Sequence, residues 1–107
     1  MDQERHDTWL TTFLRPAGEL DELAGRRLGE TLAHLAASSD MAVLDLTAAQ
    51  VPHPRAFARS LRAPAAEFER AGRCLLLVGA SARLAAELDR EAVPVATLAD
   101  SALAGLP

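Results

Sequence analysis

Three acidic residues, Glu19, Asp21 and Asp45, fall near the predicted ends of strands, where acids are candidates for chemistry. Because the carboxyl ends of parallel strands meet at one edge of a sheet, we expect these side chains to share one rim. Paired carboxylates there could exchange protons with a substrate or hold Mg²⁺. The alternative is structural, since Asp21 and Asp45 also suit the capping of turns and helix starts.

A rigid polar turn follows one of the apolar runs, where residues 51–57 read VPHPRAF. Two prolines bracket His53, and Arg55 follows with several donors held in fixed geometry. We expect Arg55 to contact a partner; the alternative is a solvated arginine in the first turn of a helix. Phe57 is expected in the core rather than at the contact surface.

The histidines do not form a metal-binding pattern. His6, His34 and His53 lie far apart, and none has a partner at metal-ligand spacing. His34 is expected on the solvent side of a helix, and His53 has no sequence neighbour placed to orient it as a base. The chain also lacks a nucleophile elbow, a phosphate-binding loop and a dinucleotide fingerprint. We therefore expect no enzymatic activity, no cofactor and no metal.

A candidate anion site lies at Gly79-Ala80-Ser81, between a predicted strand and a predicted helix. Backbone amides at the start of a helix can bind an anion, so Gly79 and Ser81 are candidate ligands. A plain strand exit with a serine cap explains the same residues.

The elements that must position these residues alternate along the chain. Strands are predicted at 8–14, 41–46, 74–78 and 93–96, and helices at about 22–37, 56–72, 82–90 and 98–106. Short apolar runs indicate the strands, and apolar residues three or four apart indicate the helices. Such alternation builds a mostly parallel sheet through right-handed crossovers. The predicted fold class is α/β, with a central sheet of four to five strands and about four helices.

Several residues carry local structural predictions. Asp21, Ser81 and Thr97 are expected to cap helices. Pro64 lies inside a helical pattern and must kink or split that helix, because it removes one amide donor.

Two glycines and the single cysteine carry packing predictions. Gly25 and Gly29 each weaken a helix by roughly 1 kcal/mol relative to Ala, which close packing against a sheet would explain. Cys74 opens an apolar run and is expected to be a buried small hydrophobe. One cysteine excludes an internal disulfide and a thiolate zinc site.

Composition limits the classes of function. The chain has 107 residues, which we divide into a polar segment, 1–9, and one domain, 10–107. The net charge of −4 comes without a basic stripe, which argues against a nucleic-acid partner. The polar start is unlike a secretory signal, and no apolar run approaches the roughly 18 residues of a membrane span. We expect a cytoplasmic protein without a membrane partner.

Three motifs resemble those of the STAS domain, the family of anti-sigma-factor antagonists and sulfate-transporter cytoplasmic tails. They are GELD at 18–21, VLDLTAAQV at 43–51 and CLLLVGAS at 74–81, and the resemblance covers residues 10–106. It implies a STAS-like fold and a binding function. In the antagonist branch, it implies docking onto an anti-sigma factor that is also a serine kinase.

The resemblance also implies a phosphorylation switch that this chain lacks. In the family, an aspartate-serine-serine-glycine motif opens the second helix, and phosphorylation of a serine there breaks the complex. Here the motif falls on residues 53–56, HPRA, and Pro54 has no hydroxyl. Residues 48–59 contain no Ser or Thr, and the nearest hydroxyls are Thr47 and Ser60. We therefore predict an antagonist that is not switched in the family's way.

Together these residues predict a contact surface for an anti-sigma factor or serine kinase-type partner. It comprises Glu19, Asp21, Asp45, Thr47, His53, Pro54 and Arg55, and it includes Phe57 as part of the same turn although the core is the expected place for that side chain. Two alternatives stay open. One is a sensor that binds a small ligand or nucleotide near Arg55 and residues 79–81. The other is a scaffold subunit of a larger regulatory complex, in which the chain self-associates.

Overall fold

The computed structural model describes residues 9–98. Their elements, in chain order, are β1 (Thr11–Leu14), β2 (Gly18–Glu19), α1 (Glu22–Leu35), β3 (Met41–Asp45), β4 (Ala49–Gln50), α2 (Pro54–Arg70), β5 (Cys74–Val78), α3 (Ala82–Arg90) and β6 (Ala96–Leu98). Four strands form one parallel sheet in the order β1-β3-β5-β6, and β2 pairs with β4 in a separate two-stranded ladder. The α/β class with a parallel central sheet is confirmed.

The last part of the predicted element list needs correction. Residues 9–98 contain three helices rather than four, and most of the predicted terminal helix lies outside these residues. Thr97 does not cap a helix, because it lies inside β6. This strand begins at Ala96 rather than Val93, after Pro94, which has no amide to give to a ladder.

The core lies between the sheet and the three helices. Every crossover between the main strands steps in the same direction across the sheet, so right-handed connections place α1, α2 and α3 on one face. The main side chains that meet there are Leu32, Phe57, Leu61, Phe68, Leu84 and Leu88 from the helices and Ala42, Leu44, Leu75 and Leu77 from the strands. Phe57 is therefore a core residue, as predicted.

Two predicted helix caps are confirmed. Asp21 Oδ1 accepts a hydrogen bond of 2.8 Å from the Ala24 amide at the start of α1. Ser81 Oγ accepts one of 3.1 Å from the Leu84 amide at the start of α3. The start of α2 is fixed differently, because Pro54 occupies its first turn with φ already set for a helix and the His53 side chain makes no cap bond.

Pro64 does not split α2, which runs unbroken from Pro54 to Arg70. The missing proline amide leaves the Ser60 carbonyl without its usual donor four residues on. Gly29 of α1 lies against this carbonyl, and a Cβ at Gly29 would come within 3.0 Å of the Ser60 oxygen. A Cβ at Gly25 would meet the Ser60 hydroxyl at 3.3 Å. The prediction that these glycines pack against the sheet is therefore wrong, since they allow α1 and α2 to approach each other.

Cys74 is exposed, so the prediction of a buried hydrophobe is wrong. It opens β5 and points away from the face that carries the helices, whereas Leu75 beside it is buried on the helical side. His34 is exposed on α1, as predicted. Within residues 9–98 no helix combines the length and the apolar character needed to span a bilayer.

Candidate functional site

The two-stranded ladder of β2 and β4 holds two loops side by side. The Gly18 amide donates to the Ala48 carbonyl at 3.0 Å, and the Leu20 amide donates to the Gln50 carbonyl at 2.8 Å. One loop leads into α1 and the other leads into α2. The ladder therefore brings the starts of these two helices together, although they are more than thirty residues apart in sequence.

A cleft of about 720 Å³ opens at these helix starts. We call it the α1–α2 cleft, and the predicted contact residues that line it are Asp21, His53, Pro54 and Arg55. Residues that sequence reasoning did not select complete the lining, and the charged ones are Glu22, Arg59, Arg83 and Glu87. Four of the eight residues chosen from the sequence thus meet in one place.

The side of the α1–α2 cleft is an ion-pair ladder between α2 and α3. Arg55 Nε lies 3.6 Å from Glu87 Oε1, and Arg59 Nε lies 3.3 Å from Glu91 Oε2. Arg62 Nη1 reaches the other Glu91 oxygen at 3.6 Å. The glutamates are mostly buried, whereas the arginines remain largely in solvent. Arg55 is therefore exposed to solvent but also paired with a carboxylate of α3.

The ion-pair ladder has a signature in the sequence. Arg55 and Arg59 are four residues apart on α2, and Glu87 and Glu91 are four residues apart on α3. Matching spacings of opposite charge allow two adjacent helices to pair along their length. The sequence alone does not show that α2 and α3 are neighbours.

Asp45 and Thr47 lie outside the α1–α2 cleft, in a separate cluster with Arg15. The Thr47 amide and hydroxyl both donate to Asp45 Oδ1, at 2.9 and 2.6 Å, and Arg15 Nε lies 3.6 Å from Oδ2. The Thr47 hydroxyl is the main cause that lowers the pKa of Asp45 below 3.8, and the Thr47 amide and Arg15 add to it. An ionised carboxylate with these partners caps a turn and is unsuited to act as a general acid at neutral pH.

The other predicted residues occupy separate places. Glu19 is exposed in β2, and Phe57 lines a small cavity of about 100 Å³ beneath the α1–α2 cleft. Gly79 and Ser81 line a different cleft of about 250 Å³, between the β3–α2 loop and the start of α3. The lining of this second cleft does not include Arg55.

The hydroxyls nearest to the expected phosphorylation motif are both engaged. Ser60 Oγ donates to the Phe57 carbonyl at 2.7 Å and is half-buried between α1 and α2. The Thr47 hydroxyl is exposed but donates to Asp45. Pro54, at the position of the family's acceptor, is itself buried.

The part of the chain that the structure describes contains no group of three or more His, Cys, Asp or Glu side chains placed to hold a metal ion. In comparisons with known proteins, no family model and no curated protein matches this chain.

Proposed function

We propose that this protein is a non-enzymatic regulatory module that binds another protein through the α1–α2 cleft. In this proposal it acts as a STAS-like anti-sigma-factor antagonist without the phosphorylatable serine. The proposed partner is an anti-sigma factor or serine kinase-type regulator. The observation that carries the proposal is the meeting of Asp21, His53, Pro54 and Arg55 around one cleft.

The shape of this surface supports protein recognition. Pro52 and Pro54 stiffen the turn on both sides of His53, so little conformational freedom is lost when a partner binds. The lining of the cleft combines Arg55 and the proline-bounded turn with the carboxylates of Asp21 and Glu22. A partner with complementary charges of both signs suits this pattern, whereas a polyanion would meet the acids as well as the arginines.

The hydroxyl positions support a mode of binding that phosphorylation does not control. Pro54 offers no acceptor, and Ser60 is half-buried and bonded to the Phe57 carbonyl. A phosphate at Ser60 would add up to about two negative charges between two packed helices. The module would therefore stay competent to bind at all times, with its control set by its amount or by its partner.

The test is a pull-down from lysate of the native host, with bound proteins identified by mass spectrometry. Wild type is compared with Arg55→Glu and with Arg62→Glu. Arg62 is the matched control, because it lies on the same helix and also pairs with a glutamate of α3 but lies outside the α1–α2 cleft. Recovery of an anti-sigma factor or serine kinase by wild type and Arg62→Glu, but not by Arg55→Glu, supports the proposal. Equal recovery by all three forms, or recovery of no such partner, contradicts it.

The cleft also supports a second candidate, a sensor of a small anionic ligand. Its volume of about 720 Å³ lies in the range of roughly 300–1,000 Å³ that holds small molecules, and three arginines line it. Native mass spectrometry of the protein purified from its host distinguishes this candidate. A bound mass that is lost in Arg83→Ala but kept in Arg62→Ala would favour the sensor.

A further inference from the structure

The strand β1 leaves one edge of the main sheet open. Within residues 9–98 it pairs with β3 alone, and it is the outermost strand of the sheet. The Leu10 carbonyl accepts from the amides of Asp40 and Met41, so every second residue from Leu10 onwards turns its backbone groups toward β3. The amides and carbonyls of Thr11 and Phe13 therefore point to the open edge, where no group of residues 9–98 pairs with them. Unpaired groups of this kind are a template for another strand.

Aromatic side chains stand beside this edge, on the face of the sheet that the helices do not cover. Phe13 and Trp9 are 73% and 67% exposed. Trp9 Nε1 donates to Thr11 Oγ1 at 2.8 Å, which holds the indole on the same side as Thr11. Thr12 and Leu14 alternate with these residues and turn to the helical side instead. Exposed aromatic surface and unpaired backbone thus occur on one strand.

We propose that a second copy of this chain pairs with β1, antiparallel and across a two-fold axis, so that two sheets join edge to edge. The edge is its own complement, because an axis at Thr12 sets the open donors and acceptors of Thr11 opposite those of the second copy's Phe13. In this register Phe13 lies diagonal to the second copy's Trp9 and Phe13. Diagonal neighbours are within the reach of aromatic side chains, so the exposed rings bury one another.

Charge complementarity favours a second copy as the occupant of this edge. Residues 9–14, WLTTFL, carry no charged side chain, so two such edges do not repel each other. Arg15 follows β1 and is largely exposed, although it pairs with Asp45. Asp40 lies at the opposite end of β1, where its Oδ2 accepts from the Leu10 amide at 2.8 Å. Antiparallel pairing brings Arg15 of each copy to the end of the other that holds Asp40, so opposite charges meet at both ends of the joined edge.

Sedimentation velocity and residue-resolved amide exchange of the full chain, each between about 5 and 500 µM, test the proposal. We expect a monomer at the low concentration and a dimer at the high one. The Thr11 and Phe13 amides should exchange at least about tenfold more slowly in the concentrated sample, because they are hydrogen-bonded only in the dimer. The Thr12 and Leu14 amides face β3 and are the internal control, since they should be protected at both concentrations.

Two substitutions place the same charge at different distances from the edge. Phe13→Lys puts an ammonium group on the joined edge, whereas Cys74→Lys puts it on the same face of β5, two strands away. A dimer lost in Phe13→Lys but kept in Cys74→Lys supports the proposal, with circular dichroism checking that both variants are folded. A wild-type chain that stays monomeric at the highest concentration overturns it. So does a dimer in which the Thr11 and Phe13 amides exchange equally fast at both concentrations, because another surface then holds the two copies together.

Discussion

Arg55 of α2 and Glu87 of α3 face each other across the wall of the α1–α2 cleft, with Nε and Oε1 3.6 Å apart. Oε1 of Glu87 is buried and accepts no hydrogen bond within residues 9–98. The carboxylate therefore depends on nearby positive charge, from Arg55 and from Arg90, whose Nη1 lies 3.9 Å from the other oxygen. A partner that engages Arg55 must share it with Glu87, so binding at the cleft and packing of α2 on α3 are linked.

The first prediction concerns the strength of this pair. Arg55→Gln should lower the free energy of unfolding by under about 1 kcal/mol, because the arginine is 55% exposed and water screens the pair. A double-mutant cycle with Glu87→Gln in urea should give a coupling of about 0.5 kcal/mol that shrinks in high salt. Additive effects of the two substitutions would mean that the residues do not interact.

The second prediction concerns the helix contact at Ser60. Gly29→Ala should destabilise the protein by about 1–2 kcal/mol, because its Cβ would press on a backbone oxygen that cannot move alone. Gly25→Ala is the matched control, since its Cβ would meet a side-chain oxygen, that of Ser60, at 3.3 Å, and a shift of a few tenths of an ångström relieves this contact. Its gain in helix propensity should leave stability unchanged or slightly higher. Thermal unfolding measures both, and equal effects would refute the close contact at Gly29.

The third prediction is a pH dependence from Asp45. A carboxyl whose pKa is lower in the folded than in the unfolded state stabilises the protein above its ordinary pKa of 3.8. That contribution disappears as the pH falls through the lower, folded value. Thr47→Val removes the main hydrogen bond, so it should reduce stability at neutral pH and matter progressively less below pH 3.8.

Denaturant unfolding across this pH range, with NMR titration of the Asp45 carboxyl, measures the effect. Asp89→Asn, on the exposed side of α3, serves as the control. A penalty for Thr47→Val that is constant with pH would show that the hydroxyl does not act through the charge of Asp45.

The fourth prediction concerns a buried hydroxyl pair. The Thr12 and Ser39 hydroxyls lie 2.6 Å apart, and Ser39 is fully buried. Thr12→Val leaves the Ser39 hydroxyl without this partner and should cost about 1–3 kcal/mol. Adding Ser39→Ala should recover part of the loss, because no unpaired hydroxyl then remains. Chemical denaturation of the two single variants and the double variant decides this, and losses that simply add would contradict it.

The order of the elements was predictable because its signals are local. The caps at Asp21 and Ser81 follow from side chains that bond amides three residues away, and the alternation of runs indicates the parallel sheet. The sequence also selected two of the six charged residues of the cleft lining, Asp21 and Arg55, together with His53 and Pro54, since strand ends and helix starts share one edge of the sheet. The same reasoning failed for Asp45 and Thr47, which follow a strand but lie in a separate cluster with Arg15.

Features that need knowledge of neighbours were missed. Arg83 and Glu87 enter the α1–α2 cleft only because α3 packs beside α2. Gly29 serves a helix contact that depends on the amide missing at Pro64, far along the chain. The burial of Cys74 was predicted wrongly because an apolar run does not reveal which face of the sheet the helices cover. The STAS-like assignment stays a prediction.

The order of strands in space, β1-β3-β5-β6, repeats their order in the chain. Each new strand of this sheet therefore pairs with an edge strand that is already in place, and no later strand must be inserted between two earlier ones. A domain wound in this way can assemble stepwise while it emerges from the ribosome, since every docking step uses contacts with the segment made just before. Among the strands of residues 9–98, β6 is synthesised last and also occupies the edge of the sheet that is added last.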